Sequence, residues 1–299
     1  MKTNNIAGAV QKDGPFKSIG EESTCHLRKC STLNNTCTGR GVFIRFFMLS
    51  ILFGWGISAC MPLIRAGSTA APSPGKPQDT LVSLTFDDGN ADNYAIAAVL
   101  KQYGFHATFY IPSGLVGTQG FMSWDQLHTL QNDGNEIGGH TLDHIKLGGL
   151  AAGVLRHEIC DDRTNLMEYG FNPVSFAYPF GNYDEQVRQT VRDCGYSDAR
   201  TIRGGPEKIL PSDPFALLAF PYIVADTDLG KLERYVGGTR KEGGGWIIFI
   251  FHHVCDSCDY YSVKPDIMNS FIHWLAEQQG AGHIKVRTVG EVVLRFTLH

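Results

Sequence analysis

The sequence predicts an α/β fold, a barrel of parallel strands with helices outside. Two observations point there. From Thr80 onward, short apolar β-prone runs alternate with stretches of helical period, the pattern of repeated βα units with right-handed crossovers. Every residue suited to chemistry also falls at or just after the C-terminal end of a predicted strand, where a β/α barrel gathers its site.

The first strand is Val82 to Phe86, within LVSLTFDDGN at 81–90. It ends in Asp87 and Asp88, and Gly89 permits the chain to turn. Two acids at the open end of a buried strand are costly unless they stay solvated or bind a cation. A solvated turn with an aspartate helix cap is the plainer reading of this pair. A helix follows from about Ala91 to Tyr103, stopped by Gly104. Ala107 to Ile111 is the next strand, closed by Pro112. Ser123 to Gln126 reads as a capping box opening a short helix that ends near Gly134. Glu136 to Gly138 is a short strand leading into EIGGHTLDH, 136–144. His140 and His144 are four apart, so they meet on one face if this turn is helical. A polar helix start is the alternative. Taken with Asp87 and Asp88, two imidazoles and a carboxylate form a common facial set for zinc, with positions open to water and substrate.

Leu150 to Tyr169 reads as a long helix with Val154, Leu155, Ile159, Leu166 and Met167 on a shared face. Val174 to Tyr178 is a strand running into Pro179, Phe180 and Gly181. Asp184 to Cys194 is helical and stops at Gly195, and Leu229 to Val236 is helical. Trp246 to Phe251 is a fully apolar strand ending in His252 and His253. Adjacent strand residues face opposite ways, so one histidine reaches the site, and His252 is favoured. Pro265 starts a helix through Gln279. Ile284 to Val286 is the last strand, and a short helix begins at Val289.

TFDDG at 85–89 followed by HTLDH at 140–144 resembles the polysaccharide deacetylases of the NodB homology type, carbohydrate esterase family 4. The resemblance runs from about Thr80 to about Thr297. It implies an irregular, incompletely closed β/α barrel. It also implies that Asp87 is the general base and that Asp88, His140 and His144 hold one divalent metal, with zinc expected. Thr141 would orient the second histidine turn. Phe251-His252 matches the family's last motif and makes His252 the general acid, a role its ordinary pKa suits. Phe176 to Gly181 occupies the place of the Arg-x-Pro-[Phe/Tyr] motif, with Ala177 where the arginine would stand. The arginine's contact with the catalytic aspartate is therefore absent or supplied from elsewhere. Pro179 and Phe180 remain, and the Phe180 N–H would help hold the oxyanion. Tyr178 would line the substrate groove, though core packing suits both aromatics. The family's fourth motif, an aspartate with a tryptophan, has no match. Asp226 and Asp228 stand there without a tryptophan, and a helix cap suits either.

The remaining features bound the setting. The 299 residues are 43% hydrophobic and 19% charged, an ordinary globular balance with a formal net charge of −4. Neither a nucleic-acid partner nor a protein partner is implied. Residues 1–60 form an N-terminal region. Within it, Arg40 and Arg45 precede the apolar run Phe46 to Ala59, which is short for a membrane span and suits a signal-peptide core. Ile57-Ser58-Ala59-Cys60 resembles a bacterial lipobox, making Cys60 a lipidation site and placing the chain outside the cytoplasm on a membrane anchor. The long basic lead-in leaves open an uncleaved anchor or a start further in. Residues 61–79 are a Pro-rich linker, and 80–298 are the deacetylase-like domain. Four of the eight cysteines fall in that domain. They suit two disulfides in an oxidising compartment: Cys160–Cys194 as a staple between consecutive helices and Cys255–Cys258 as a local loop clamp. A second metal site at Cys255-x-x-Cys258 is the competing reading. The expected function is metal-dependent removal of N-acetyl groups from an extracytoplasmic polysaccharide. An O-acetyl esterase acting on xylan or another glycan, and an inactive glycan-binding lipoprotein, are the alternatives.

Overall fold

Strand β1 (Thr80–Phe86) is buried along its whole length and lies at the heart of the sheet. Its two faces do different work. Val82, Leu84 and Phe86 pack into the main core beneath the outer helices, while Leu81 joins a second cluster inside the barrel. The computed structural model describes residues 80–220 and 223–297. The apolar run, the linker and Cys60 lie outside the described residues.

Seven strands, all parallel, form the main sheet: β1, β2 (Thr108–Ile111), β3 (Glu136–Gly139), β4 (Ser175–Ala177), β5 (Asp198–Arg200), β6 (Gly245–Phe251) and β9 (Lys285–Val286). The order runs β5-β4-β3-β2-β1-β6, with β9 beside the start of β1. Strand β6 also alternates, sending Ile247, Phe249 and Phe251 to the main core and Trp246, Ile248 and Ile250 to the inner cluster. A strand covered on both faces reads as a continuous apolar run, which is why Trp246 to Phe251 is so legible. Between β5 and β6 no regular ladder closes the ring among the described residues. Instead Leu217 N–H donates to Ala199, Phe220 N–H to Ile248 and Ile223 N–H to Ile250. The expected irregular, incompletely closed β/α barrel is what the chain forms.

The helices are α1 (Ile96–Gln102), α2 (Trp124–Asn132), α3 (Ala152–Arg156), α4 (Asp162–Glu168), α5 (Glu185–Asp193), α6 (Leu229–Lys241), α7 (Pro265–Gly280) and α8 (Val289–Thr297). The capping box at Ser123 and Gln126 forms in both directions, and Asp228 caps α6 through the Lys231 N–H. Three expectations need correction. The helix after Asn90 starts as a 3-10 turn at Ala91–Ala95. The long helix is three pieces, with a π turn at His157–Asp161 between α3 and α4. Val154 and Met167 are exposed, whereas Leu155, Ile159 and Leu166 are buried; each stands about 100° round the helix from its buried neighbour.

At the N-terminal end of the barrel, α8 acts as a plug. Val289, Val292 and Val293 join the inner cluster, and the Gly290 N–H donates to Glu136 Oε2 at 2.9 Å. Thr108, Glu136, Ser175 and Asp198 form a linked polar chain at the strand starts. The small strands β7 (His253–Val254) and β8 (Ser262–Val263) pair just beyond β6. Cys160 bridges to Cys194 and Cys255 to Cys258, with Cα separations of 4.9 and 5.8 Å, inside the usual limit for a disulfide.

Candidate active site

Asp87 continues the β1 ladder by donating its N–H to Phe251 O. Asp88 then turns with φ at +70° and Gly89 with φ at +69°. That left-handed pair swings the Asp88 carboxylate across the strand ends to meet the histidines. His144 Nε2 lies 3.1 Å from Asp88 Oδ1 and His140 Nε2 lies 3.4 Å from it.

The histidines do not sit on a helix. Residues 140–144 form an irregular loop in which Thr141 and His144 have φ of +67° and +55°. The i, i+4 spacing still brings the rings together, with centroids 4.9 Å apart, but through loop conformation. His144 N–H donates to Thr141 Oγ1 at 2.9 Å, which holds the turn. His140 Nδ1 faces the Ala177 carbonyl at 2.8 Å. A carbonyl there fixes Nδ1 as the protonated nitrogen and leaves the Nε2 lone pair facing the point where Asp88 Oδ1 lies, ready to ligate a cation. Gly139 is required before this loop, because a Cβ would overlap the Tyr196 hydroxyl.

Asp88 Oδ1 is buried and faces both Nε2 atoms without a well-formed hydrogen bond. Burial works against the ionised Asp88, but the two facing imidazoles outweigh it and hold its pKa far below the usual carboxylate range. Burial likewise opposes a charged His144, and the Asp88 carboxylate overrides it and raises its pKa. One anionic oxygen and two neutral imidazole nitrogens converging on one point fit a divalent cation. Asp88, His140 and His144 are a group able to hold one.

The second aspartate has a different partner. Arg200 at the end of β5 is fully buried, and its Nη2 lies 2.7 and 2.6 Å from the two oxygens of Asp87. Its guanidinium lies over the Tyr110 ring, 5.1 Å from the centroid. Ala177 on β4 is the direct register partner of Arg200 on β5. Paired residues of neighbouring strands share a face, so the arginine expected at position 177 is supplied one strand further along at the same level. Arg200 was missed because no strand was expected between Gly195 and Leu229. The βα alternation itself calls for one there, and Asp198-Ala199-Arg200 supplies it with only one apolar residue.

Of the two adjacent histidines, His252 lines the cavity and His253 turns to Asp92, with Nδ1 2.7 Å from Asp92 Oδ2. His252 Nε2 lies 4.0 Å from Asp87 Oδ2. Its carbonyl accepts from the side chains of Asn90 and Asn93, which pins the backbone. Burial lowers the His252 pKa, partly offset by Asp87 and Asp88. These groups surround a cavity of ≈ 180 Å³, also lined by Tyr178, Phe180, Ile202 and Tyr261. Tyr178 is buried, stacked on Tyr183, and donates its hydroxyl to the Phe215 carbonyl; it serves as both core and wall. Pro179 is buried behind the wall. Phe180 is exposed at the rim, has φ of +58°, and sits with its ring 4.7 Å from that of His144. Ile202 and Tyr261 are lining residues that the sequence pattern left unmarked. Neither Asp226 nor Asp228 lines this cavity.

Residues 75–199 match the family model for polysaccharide deacetylase. Over that stretch, less than half of the 299 residues, the chain is similar to the polysaccharide deacetylase family. A candidate polysaccharide deacetylase of Bacillus subtilis, YxkH, is 32% identical over 133 residues, covering 44% of this chain and 47% of that protein. A peptidoglycan-N-acetylglucosamine deacetylase of Bacillus cereus is 26% identical over 120 residues, covering 40% of this chain and 54% of that protein. The chain thus spans about half the length of these curated relatives. Among solved structures, a family 4 acetyl xylan esterase from Clostridium thermocellum, in complex with a cobalt ion, superposes with a TM-score of 0.51 at 20% identity. That match covers 73% of this chain and 91% of the esterase, and it establishes a shared fold.

Proposed function

We propose that this chain removes N-acetyl groups from an extracytoplasmic polysaccharide of the chitin, peptidoglycan or poly-N-acetylglucosamine kind, using one divalent metal, zinc by preference. One observation carries the reading: the Asp88, His140 and His144 donors converge in a cavity whose wall also holds Asp87 and His252. A divalent cation held by these three residues supplies carbonyl polarisation and a more acidic bound water. Asp87 accepts the proton of the attacking water. Arg200, buried and hydrogen-bonded to both Asp87 oxygens, holds that carboxylate in place beside the cavity. The Phe180 N–H, held at the rim by a left-handed backbone, donates to the developing oxyanion. His252 delivers a proton to the departing amine as acetate leaves. With Arg200 in the place of the arginine absent at Ala177, that absence no longer favours an inactive, purely glycan-binding protein.

The test is acetate release from N-acetylglucosamine oligomers by the full chain with zinc or cobalt added, with acetylated xylan in parallel. Release from the amide substrate is expected; release from xylan alone would overturn the amide assignment. His144→Ala should lose metal on dialysis, and unchanged metal content would remove His144 from the ligand set. Two disulfides support an oxidising location, and the anchor reading rests on Cys60. Cys60→Ala should free the chain from the membrane fraction; unchanged fractionation would dismiss the lipobox.

A further inference from the structure

The loop between β7 and β8 carries Cys255 and Cys258, whose spacing allows either a bridge or a metal site. The bridge forms, and the donors of a metal site are present at the same place. Asp92, from the 3-10 turn after β1, reaches the loop. One of its carboxylate oxygens and the sulfurs of Cys255 and Cys258 all lie within 4.8 Å of one another. Among the described residues the other such group is Asp88, His140 and His144, and the two share no residue.

The donors and their surroundings suit a cation. Two thiolates and a carboxylate are ligands zinc takes, and three protein ligands leave a fourth position for water. The Cys258 N–H points at Cys255 Sγ at 3.3 Å, through a turn in which Ser257 has φ of +55° and donates its N–H to Cys255 O. An N–H aimed at a sulfur favours the anionic form that binds metal. Asp92 is oriented as well: His253 Nδ1 lies 2.7 Å from its Oδ2, and the Val254 N–H donates to its Oδ1 at 3.3 Å. A histidine paired with a carboxylate is a common outer support of a metal site. Cys255 is fixed by its own N–H, which donates to Val263 O at 3.0 Å. Cys258 is exposed, and Cys255 and Asp92 are half-buried, so both reductants and ions can reach them.

We infer that Asp92, Cys255 and Cys258 form a second metal site, closed by the Cys255–Cys258 bridge and opened by its reduction, which takes one divalent cation of zinc's softness. A dithiol reductant supplies two electrons and two protons. The S–S bond breaks, Cys255 and Cys258 become thiols, and the reductant closes to its own disulfide. The cation then displaces both thiol protons to solvent and binds the thiolates. The two states hold the loop differently. The bridge spans three residues and ties the loop only to itself. A cation shared with Asp92 ties it to the turn after β1, beside Asn90 and Asn93, whose side chains hold the His252 carbonyl. The assignment is independent of what the catalytic cavity hydrolyses.

Cobalt titration of the full chain tests this, because sulfur-to-cobalt charge transfer absorbs in the near ultraviolet and the Asp88, His140 and His144 group contains no sulfur. The bridge is reduced with a water-soluble phosphine, which leaves as its oxide while water supplies the oxygen and the two thiol protons. Reduced wild type should then show this absorption for one cobalt more than Cys255→Ser/Cys258→Ser, the remaining cysteines being common to both chains. Before reduction the two should match. Asp92→Ala should raise the dissociation constant of the extra cobalt by at least about tenfold, the scale for losing a supporting partner of a metal, and His144→Ala should leave it unchanged. Equal absorption by reduced wild type and the double variant, or wild-type affinity in Asp92→Ala, would overturn the site. A second measurement needs no variant: in reduced wild type, saturating zinc should protect Cys255 and Cys258 from alkylation, read peptide by peptide by mass spectrometry. Unprotected thiols at both positions would equally overturn the site. A chain that gains the extra cobalt but releases no acetate with any metal would sink the deacetylase reading and leave this site standing.

Discussion

Arg200 and Asp87 form a buried ion pair whose two members come from opposite sides of the barrel opening. Removing one partner strands a charge in the interior, which typically costs about 3–5 kcal/mol. Arg200→Met should therefore lower the unfolding free energy by roughly that amount and reduce turnover; a denaturation midpoint and kcat near wild type would refute the assignment. Because Ala177 is the register partner of Arg200, the double variant Ala177→Arg/Arg200→Met should recover part of kcat. Activity no better than that of Arg200→Met alone would show that the two positions do not aim at the same point. Asp87, Asp88, His140, His144 and His252 were legible in the sequence because their types are unusual at strand ends. Arg200 was not, since its link to Asp87 runs across strands and leaves no spacing to read. Backbone strain was equally hidden. Asp88, His144 and Phe180, which line the cavity, and Thr141, between the two histidines, have positive φ, a conformation usually held at a cost where function needs it.

At the level of elements, the two disulfides differ in what they constrain. Cys160 and Cys194 are 34 residues apart and join the π turn to the end of α5, whereas Cys255 and Cys258 are three apart. On chain-entropy grounds the first is worth about 3–4 kcal/mol and the second about 1.5. Cys160→Ser/Cys194→Ser should lower the unfolding free energy by close to the larger figure, measured in denaturant. Cys255→Ser/Cys258→Ser should cost less than half as much; equal losses would mean that both act through native-state packing. Elements with a clean apolar period, such as β1, β6 and α2, were read from sequence nearly to their ends. Strand β5 was not, because its residues bind buried polar partners. The His140–His144 turn failed for another reason: a four-residue spacing is shared by helices and by this loop.

For the whole molecule, the polar chain under the barrel couples stability to pH. Burial, and then the nearby Glu136 carboxylate, raise the Asp198 pKa well above its ordinary value. The folded state thus keeps a proton that the unfolded chain gives up near pH 4. Stability from this group is fully present below that pH and falls as pH rises, by up to about 1.4 kcal/mol per unit. Asp198→Asn should flatten this slope in denaturant titrations at several pH values; an unchanged slope would exclude Asp198 as its source. Strand β1 has a further consequence. Its full-length neighbour is β6, in a register running from Thr80 beside Gly245 to Phe86 beside Phe251. During synthesis the first strand of the domain must wait for one of the last before its ladder can close. Closing that ladder brings together segments far apart in sequence, and the entropy of so long a loop slows folding.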